Sequence, residues 1–406
     1  DRTHYDCLIQ RHDWPNVTTL IRAKTIKIGE SPVKTRISLL PSMGIPRPFT
    51  DTKPLQIVEA DLADPGPDEV LVKILAAGVC HSDLSVINGD RPRPTPVALG
   101  HEAVGEVIKT GPGSSDLKPG QRVSMIFVPS CGHCDCCAEG RPALCEPGLQ
   151  HNTNGSLLSG AKRISVNGEV INHHLGISCF SDYAVSHRRS LVPIDSDLDP
   201  TVQAVFGCAV LTGCGAVLNT ARLHAGERVA IIGLGGVGLA ALLGAHAGGA
   251  RQIIAVDANP DKEALARELG ADHFVNARDP DAIEQVKALS SGGVNLAAEF
   301  AGVMSALDMA IEVTRRGGRT VTAALPNPAD RLSVAAARLV TEERALLGSY
   351  VGSCVPSRDI PNFLALHKKG LLPVDRMISH TLELAEINVA MERLAEGQAV
   401  RQIICF

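Results

Sequence analysis

A chain of 406 residues is long enough for two or three domains with full cores. Its formal net charge of −5 gives no basic surface of the kind that binds nucleic acid, so no nucleic-acid partner is expected. No apolar run approaches the roughly 18 residues that cross a bilayer, so no membrane partner is expected either.

Residues 1 to about 32 mix Arg, Lys, His and Asp with the only tryptophan, Trp14, and show no clear period. Asp1, Asp6, Asp13 and Glu30 argue against a targeting presequence, and no basic segment followed by an apolar one opens the chain. This stretch, 1–32, reads as an N-terminal extension without assignable chemistry. From Val33 the pattern becomes β-like. Ile37 to Leu40, Leu55 to Glu59, Glu69 to Leu75, Val104 to Thr110 and Arg122 to Val128 are short strands punctuated by Pro and Gly. Such spacing predicts a compact β-rich domain or barrel.

Within this region Cys80 follows an apolar strand, Val70 to Ala77, and His101 follows Gly100. A thiolate and an imidazole brought together suit zinc. Taken singly, Cys80 reads as a buried small apolar residue and His101 as a satisfied core histidine. Two ligands are too few for a catalytic zinc, which takes three and keeps one position open. The best third candidate is Cys208, because it sits just before a nucleotide-binding pattern.

Cys131, Cys134, Cys137 and Cys145 form Cys-x2-Cys-x2-Cys-x7-Cys. Four thiolates close a tetrahedral structural zinc site. An iron–sulfur cluster is the competing reading, but ferredoxin-type runs use other spacings. Cys136 is left over, and His133 is expected to be exposed. With most of the 12 cysteines at or near ligand spacing, reduced thiols and a cytoplasmic setting are expected.

Residues 148–178 read as a long loop with a little β structure, and Ser181 to Val185 and Arg189 to Pro193 as strands. After Asp199 the character changes. Thr201 to Asn219 reads as one apolar helix. The buried strand Arg228 to Ile232 runs into Gly233-Leu-Gly235-Gly236-Val237-Gly238 and a small-residue helix ending near Ala247. A second strand, Gln252 to Val256, ends in Asp257. This is the dinucleotide fingerprint in its required context, with glycines that admit a pyrophosphate and an acid for the adenosine ribose. Strands at His273 to Val275, Leu296 to Phe300, Arg319 to Ala323 and Ala345 to Ser349 complete a six-stranded sheet. The segment from Ile360 to Phe406 holds a helix, two strand-like pieces, a second helix and a terminal strand that returns to the first domain.

These motifs, in this order and spacing, resemble the zinc-dependent alcohol dehydrogenases of the medium-chain dehydrogenase/reductase superfamily, from about residue 35 to the C-terminus. The resemblance implies an α/β fold: a GroES-like β-rich catalytic domain at 33–209 and 350–406, with a structural zinc lobe at 131–145, and a Rossmann NAD-binding domain with a six-stranded parallel sheet at 210–349. It implies NAD and two zinc ions per chain as cofactors. Cys80, His101 and Cys208 look like the catalytic zinc ligands, with Glu102 as the acidic neighbour of the histidine and Asp83 orienting it. Ser82 looks like the hydroxyl that takes the alcohol proton. His81 and Arg401 match positions at the coenzyme pyrophosphate, Thr212 and Val237 positions behind the nicotinamide, and Lys262 the lysine beside the adenosine ribose.

The implied activity is hydride transfer between a small-molecule alcohol and NAD, giving an aldehyde or ketone. Phe127 matches a substrate-pocket aromatic, and Leu144 and Leu175 extend an apolar pocket for a medium-sized primary or aromatic alcohol. Arg91, Arg93 and His174 stand near its mouth, where arginines beside prolines are more often simply solvated. Ser85 departs from the relay histidine of liver-type enzymes. Glutathione-dependent formaldehyde oxidation is the second reading: Arg91 and Arg93 fall near acidic positions of that subfamily, and no arginine closely follows Cys145. A third is a non-catalytic binding protein on this scaffold. The length between Cys145 and Cys208 resembles dimeric relatives, so a homodimer is expected.

Overall fold

The computed structural model describes residues 32–194 and 197–406, so the N-terminal extension, Pro32 apart, lies outside the described residues. Glu69–Val79 organises the β-rich part. It pairs with Glu102–Thr110 along one edge, and with Tyr183–His187 and then Arg401–Cys405 along the other. Hydrogen bonded on both edges and packed on both faces, it is buried almost throughout, as its apolar run requires. The full seven-stranded sheet also takes in Leu191–Pro193, Arg122–Ile126 and Ile378–Glu383. Beside it a small closed barrel joins Val33–Leu40, Gln56–Leu62, Ile164–Val166, Glu169–His173 and Val97–Ala98. The terminal strand Arg401–Cys405 thus returns to the β-rich part, as expected.

The remaining sheet is six-stranded and wholly parallel. Its order is His273–Asn276, Gln252–Asp257, Arg228–Ile232, Val294–Glu299, Thr314–Thr322, Ala345–Gly348. The chain begins in the middle, works outward, and then crosses to build the other half, which is the doubly wound dinucleotide-binding order. Arg228–Ile232 is central, and from Val229 onward it is continuously apolar and buried, as a strand of a parallel sheet covered on both faces is.

Three local expectations need correction. Glu146–Thr153 is a helix rather than loop, its first turn capped by Cys145 Sγ, which accepts from Gly148 N. Between the last two long helices there is one strand, Ile378–Glu383, flanked by two short 3-10 turns, Val374–Met377 and Leu384–Glu386, where two strand-like pieces were expected. The stretch from Thr201 to Asn219 is not one helix. Pro200–Ala204 and Ala209–Gly215 are separated by a 3-10 turn, Val205–Gly207, and by Cys208 at φ −138°, ψ −69°. The two halves bend by 53° at this break. Among the described residues no single helix is long and apolar enough to cross a membrane.

Candidate active site and zinc centres

The strand Glu69–Val79 delivers Cys80 to the N-terminus of the helix His81–Ile87. The bend after Ala98 delivers His101, and the helix break delivers Cys208. The three ligand atoms lie within 4.8 Å of one another. His101 is fully buried, and its Nε2 has no hydrogen-bond partner among the described residues. An orphaned imidazole nitrogen facing two thiols is costly unless a cation takes its lone pair. The donor set therefore fits zinc with one position left open.

The rest of the constellation fixes these ligands. Asp83, also fully buried, sits 3.0 Å from His101 Nδ1 through Oδ1, and its Oδ2 accepts from Cys80 N at 3.3 Å. One carboxylate thereby sets the tautomer and angle of the histidine and the path of the cysteine backbone. The hydrogen bond with Cys208 holds the Cys80 thiol well below its usual value, against the effect of burial, and His101 adds to it. Ser82 Oγ is 4.0 Å from Cys80 Sγ. Glu102 accepts from Ala209 N at 3.2 Å with Oε1 and from Arg401 Nη2 with Oε2. It therefore ties the strand after His101, the Cys208 break and the returning C-terminal strand together.

His174 corrects the expectation of a residue at the pocket mouth. It is 1% exposed, its ring meets His101 edge-on at 5.7 Å, and its Nδ1 lies 3.5 Å from Asp83 Oδ1. Phe127 meets His101 edge-on from another side at 5.3 Å. Leu175 is buried nearby in sequence, whereas Leu144 stands 37% exposed on the turn before Cys145. Sequence reasoning did not single out Tyr350 or Asn152. No local motif marks either one.

In the lobe, the sulfurs of Cys131, Cys134, Cys137 and Cys145 also lie within 4.8 Å of one another. Cys131 N and Gly148 N donate to Cys145 Sγ, and Cys134 N donates to Cys131 Sγ. Burial pushes the Cys131 thiol up, but backbone N–H groups of His133 and Cys134 outweigh it and bring it down to about 6. Four free sulfurs so placed, with N–H groups aimed at them, fit a closed zinc site. Cys136 stays outside it and His133 is exposed, as expected. A groove of about 1150 Å³ runs along this lobe, yet none of Cys80, His101 and Cys208 lines it. Volume does not mark the chemistry here.

On the dinucleotide side, Gly233 has φ +88°, and a side chain there would strike Ala301. A Cβ on Gly238 would strike the Gly233 carbonyl, and one on Gly236 would press on Arg401. One on Gly235 would meet nothing within 4 Å, which leaves open space at the N-terminus of the helix Gly236–Ala247. That open, glycine-walled helix start fits a coenzyme pyrophosphate. Thr212 and Val237 lie on two helices so close that a Cβ on Gly213 would strike the Val237 carbonyl. Asp257 accepts from Leu234 N at 2.6 Å, Asn259 N at 2.9 Å and Lys262 Nζ at 3.1 Å. His81, at the start of its helix, is pushed below its usual value by burial, with the Cys80 thiol opposing and Lys262, Arg401 and Arg91 adding to the shift.

Residues 66–196 match the alcohol dehydrogenase GroES-like domain, and residues 236–369 match the zinc-binding dehydrogenase domain. The chain belongs to the zinc-binding dehydrogenases of the alcohol dehydrogenase family. It is 36% identical over 360 residues to an S-(hydroxymethyl)glutathione dehydrogenase of Escherichia coli O1:K1 / APEC, covering 88% of this chain and 97% of that protein. An alcohol dehydrogenase zinc-binding domain protein from Burkholderia ambifaria superposes with a TM-score of 0.87 at 30% identity, covering 92% of this chain and 99% of that one. Benzyl alcohol dehydrogenase from Acinetobacter calcoaceticus gives 0.86 at 29% identity over the same shares. The dehydrogenase is thus an enzyme, a zinc-dependent oxidoreductase of alcohols with NAD as coenzyme.

Proposed function

We propose that the dehydrogenase interconverts a medium-sized primary or aromatic alcohol and its aldehyde. The observation that carries this reading is the wall beside the zinc ligands. The Phe127 ring stands perpendicular to that of His101 at 5.3 Å, and His101 Nε2 is the ligand nitrogen left without a hydrogen-bond partner among the described residues. When bound, zinc supplies a Lewis acid for the substrate oxygen and NAD a hydride acceptor. The chain's residues do the rest. Cys80, His101 and Cys208 hold the metal, and Asp83 orients His101. Ser82 takes the hydroxyl proton. Arg401 and His81 hold the pyrophosphate at Gly235 and Gly236, Thr212 and Val237 back the nicotinamide, and Asp257 with Lys262 receives the adenosine ribose. Cys131, Cys134, Cys137 and Cys145 hold the second zinc. Residues 33–209 and 350–406 act as the catalytic domain and 210–349 as the coenzyme domain.

The test is a panel of primary, secondary and aromatic alcohols, with and without glutathione, followed by NADH absorbance. Turnover of free primary or aromatic alcohols supports the reading. Turnover only with formaldehyde and glutathione would replace it with the activity named for the Escherichia coli relative. Both metal-ligand sets are intact, which weighs against a non-catalytic role.

NAD is expected to be preferred over NADP. The Asp257 carboxylate opposes a 2′-phosphate, and no arginine follows it in Ala258-Asn259-Pro260. The ratio of kcat/KM should be about tenfold or more, because like charges brought together cost several kcal/mol and Lys262 offsets only part of this. A preference for NADP would remove Asp257 from its role.

Ser85 donates its hydroxyl to the His81 carbonyl at 2.8 Å, one helical turn back. It stands where a relay histidine would titrate near neutral pH. Ser85→His is therefore expected to speed proton release, by up to roughly 10²-fold where that step limits turnover. Ser85→Ala should do little. Ser82→Ala should cost roughly 10²-fold, since its hydroxyl adjoins the ligand set. Equal damage from the two alanine variants would make Ser85 an obligatory link.

The chain's assembly is proposed to be a homodimer, supported by the length between Cys145 and Cys208. Light scattering at twice the 42.7 kDa chain mass is the expected result, and a tetramer mass would overturn it. A cytoplasmic setting is proposed on the free thiols of both ligand sets. Fractionation that placed the protein in an oxidising compartment would argue against it.

A further inference from the structure

The turn between the helix His81–Ile87 and the strand before His101 carries Arg91 and Arg93. Both are partly buried. Neither has a carboxylate partner among the described residues, whereas Arg163, Arg319 and Arg401, also partly or fully buried, each hold one. Arg91 Nη2 donates to the Leu325 carbonyl at 3.0 Å, which places it across from the dinucleotide-binding sheet. Arg93 Nη1 makes one long contact, 3.4 Å, with the Asn152 carbonyl, and its buried Nε has no partner. Asn152 in turn donates to the Phe127 carbonyl at 2.9 Å, and Phe127 lies against His101. Arg93 is therefore two contacts from the aromatic wall of the pocket. Its charge acts on His174, and Tyr350 stands in the fields of Arg91, Arg93 and Cys208. Burial pulls both guanidinium values down, and outweighs the opposing fields of Cys80, Tyr350 and Asp90 at Arg91 and of Tyr350 at Arg93.

A half-buried guanidinium with unused N–H groups is costly to keep. It is well matched to a planar oxyanion, which it can grip with two parallel hydrogen bonds. We infer that Arg91 and Arg93 form an anion subsite of the substrate pocket, so that the favoured alcohol carries a carboxylate remote from its hydroxyl. This rests on the alcohol reading above and names the substrate class for the same site.

The test uses the full-length, zinc-loaded enzyme with NAD and two matched pairs: benzyl alcohol against 4-carboxybenzyl alcohol, and butan-1-ol against 4-hydroxybutanoate. In at least one pair the charged member is expected to have a kcat/KM about tenfold or more above its neutral partner, the low end for a charge-assisted hydrogen bond. Arg91→Gln and Arg93→Gln should each shrink that ratio toward one, and Arg93→Lys, which keeps the charge but not the fork, should retain part of it. The wild-type comparison decides the matter even where a variant fails to fold. A third arm, formaldehyde with glutathione, tests the underlying reading separately: turnover confined to that adduct would overturn the alcohol reading and, with it, the subsite that rests on it. Wild-type ratios of one or below in both pairs, with free alcohols turned over, would overturn the subsite and leave the alcohol reading standing. No turnover of any of these compounds would overturn both.

Discussion

Replacing Cys208 with Ser is expected to abolish turnover while leaving the fold nearly intact. The ligand atoms of Cys80, His101 and Cys208 lie within 4.8 Å of one another, and no other described cysteine joins them. A serine hydroxyl is a hard, weakly acidic donor that does not replace a thiolate on zinc. Lewis-acid stabilisation is worth several kcal/mol, so the loss should be about 10³-fold or more in kcat. The fold should tolerate the change, because Cys208 sits at a break between two helices, and its neighbours Ala209 and Gly207 keep their backbone contacts. Zinc content measured by mass spectrometry should fall toward one per chain, with the lobe zinc retained. A Cys208→Ser variant with near-wild-type rates and two zincs would show that the third ligand lies elsewhere.

Why was so much of this site legible in the sequence? Cys131 to Cys145 and Gly233 to Gly238 are local devices. Their chemistry depends on spacings of a few residues, and a linear string preserves those. The parallel strands were legible for a similar reason, since burial on both faces makes them continuous apolar runs such as Val229 to Ile232. Cys208 was legible only through its neighbourhood. The helix break that presents it was not, although Gly207 marks the point, because an apolar run around Thr201 to Asn219 satisfies a helical pattern equally well with or without an interruption. Gly148, Asn152 and Asn154 made the start of 148–178 look like a loop, yet the helix Glu146–Thr153 opens on Pro147, which is at home in a first helical turn, and a cysteine sulfur caps it. His174, beside His101, and Asn152, bonded to the Phe127 carbonyl, were not legible as parts of one wall. Strand returns and turns far apart in sequence bring them together, and no period or spacing encodes that. The roles of residues at the zinc and coenzyme sites came largely from the family resemblance, which covers those motifs well. The substrate wall is where this chain departs from it.

Removing Arg401 alone is expected to destabilise the enzyme and to weaken NAD binding, and the two effects should separate in a double variant. Arg401 and Glu102 are 2% and 0% exposed, and their side chains are hydrogen bonded. The same guanidinium stem lies against Gly236, where a Cβ would press on it. Arg401→Met leaves Glu102 as a buried carboxylate with only Ala209 N as a partner. Breaking a buried pair in this way costs about 3–5 kcal/mol. The cost comes from the stranded charge, since burial already raises Glu102 and loss of the nearby cation raises it further. Neutralising the orphan should therefore restore stability. Arg401→Met combined with Glu102→Gln is expected to unfold in denaturant much closer to wild type than Arg401→Met alone. It should not recover the coenzyme if Arg401 is the cation proposed to hold the pyrophosphate, and KM for NAD should then stay raised by about tenfold or more. Chemical denaturation of the zinc-loaded protein and NAD titration read the two effects independently. If the double variant regained NAD affinity along with stability, Arg401 would be a structural partner of Glu102 and not a coenzyme ligand.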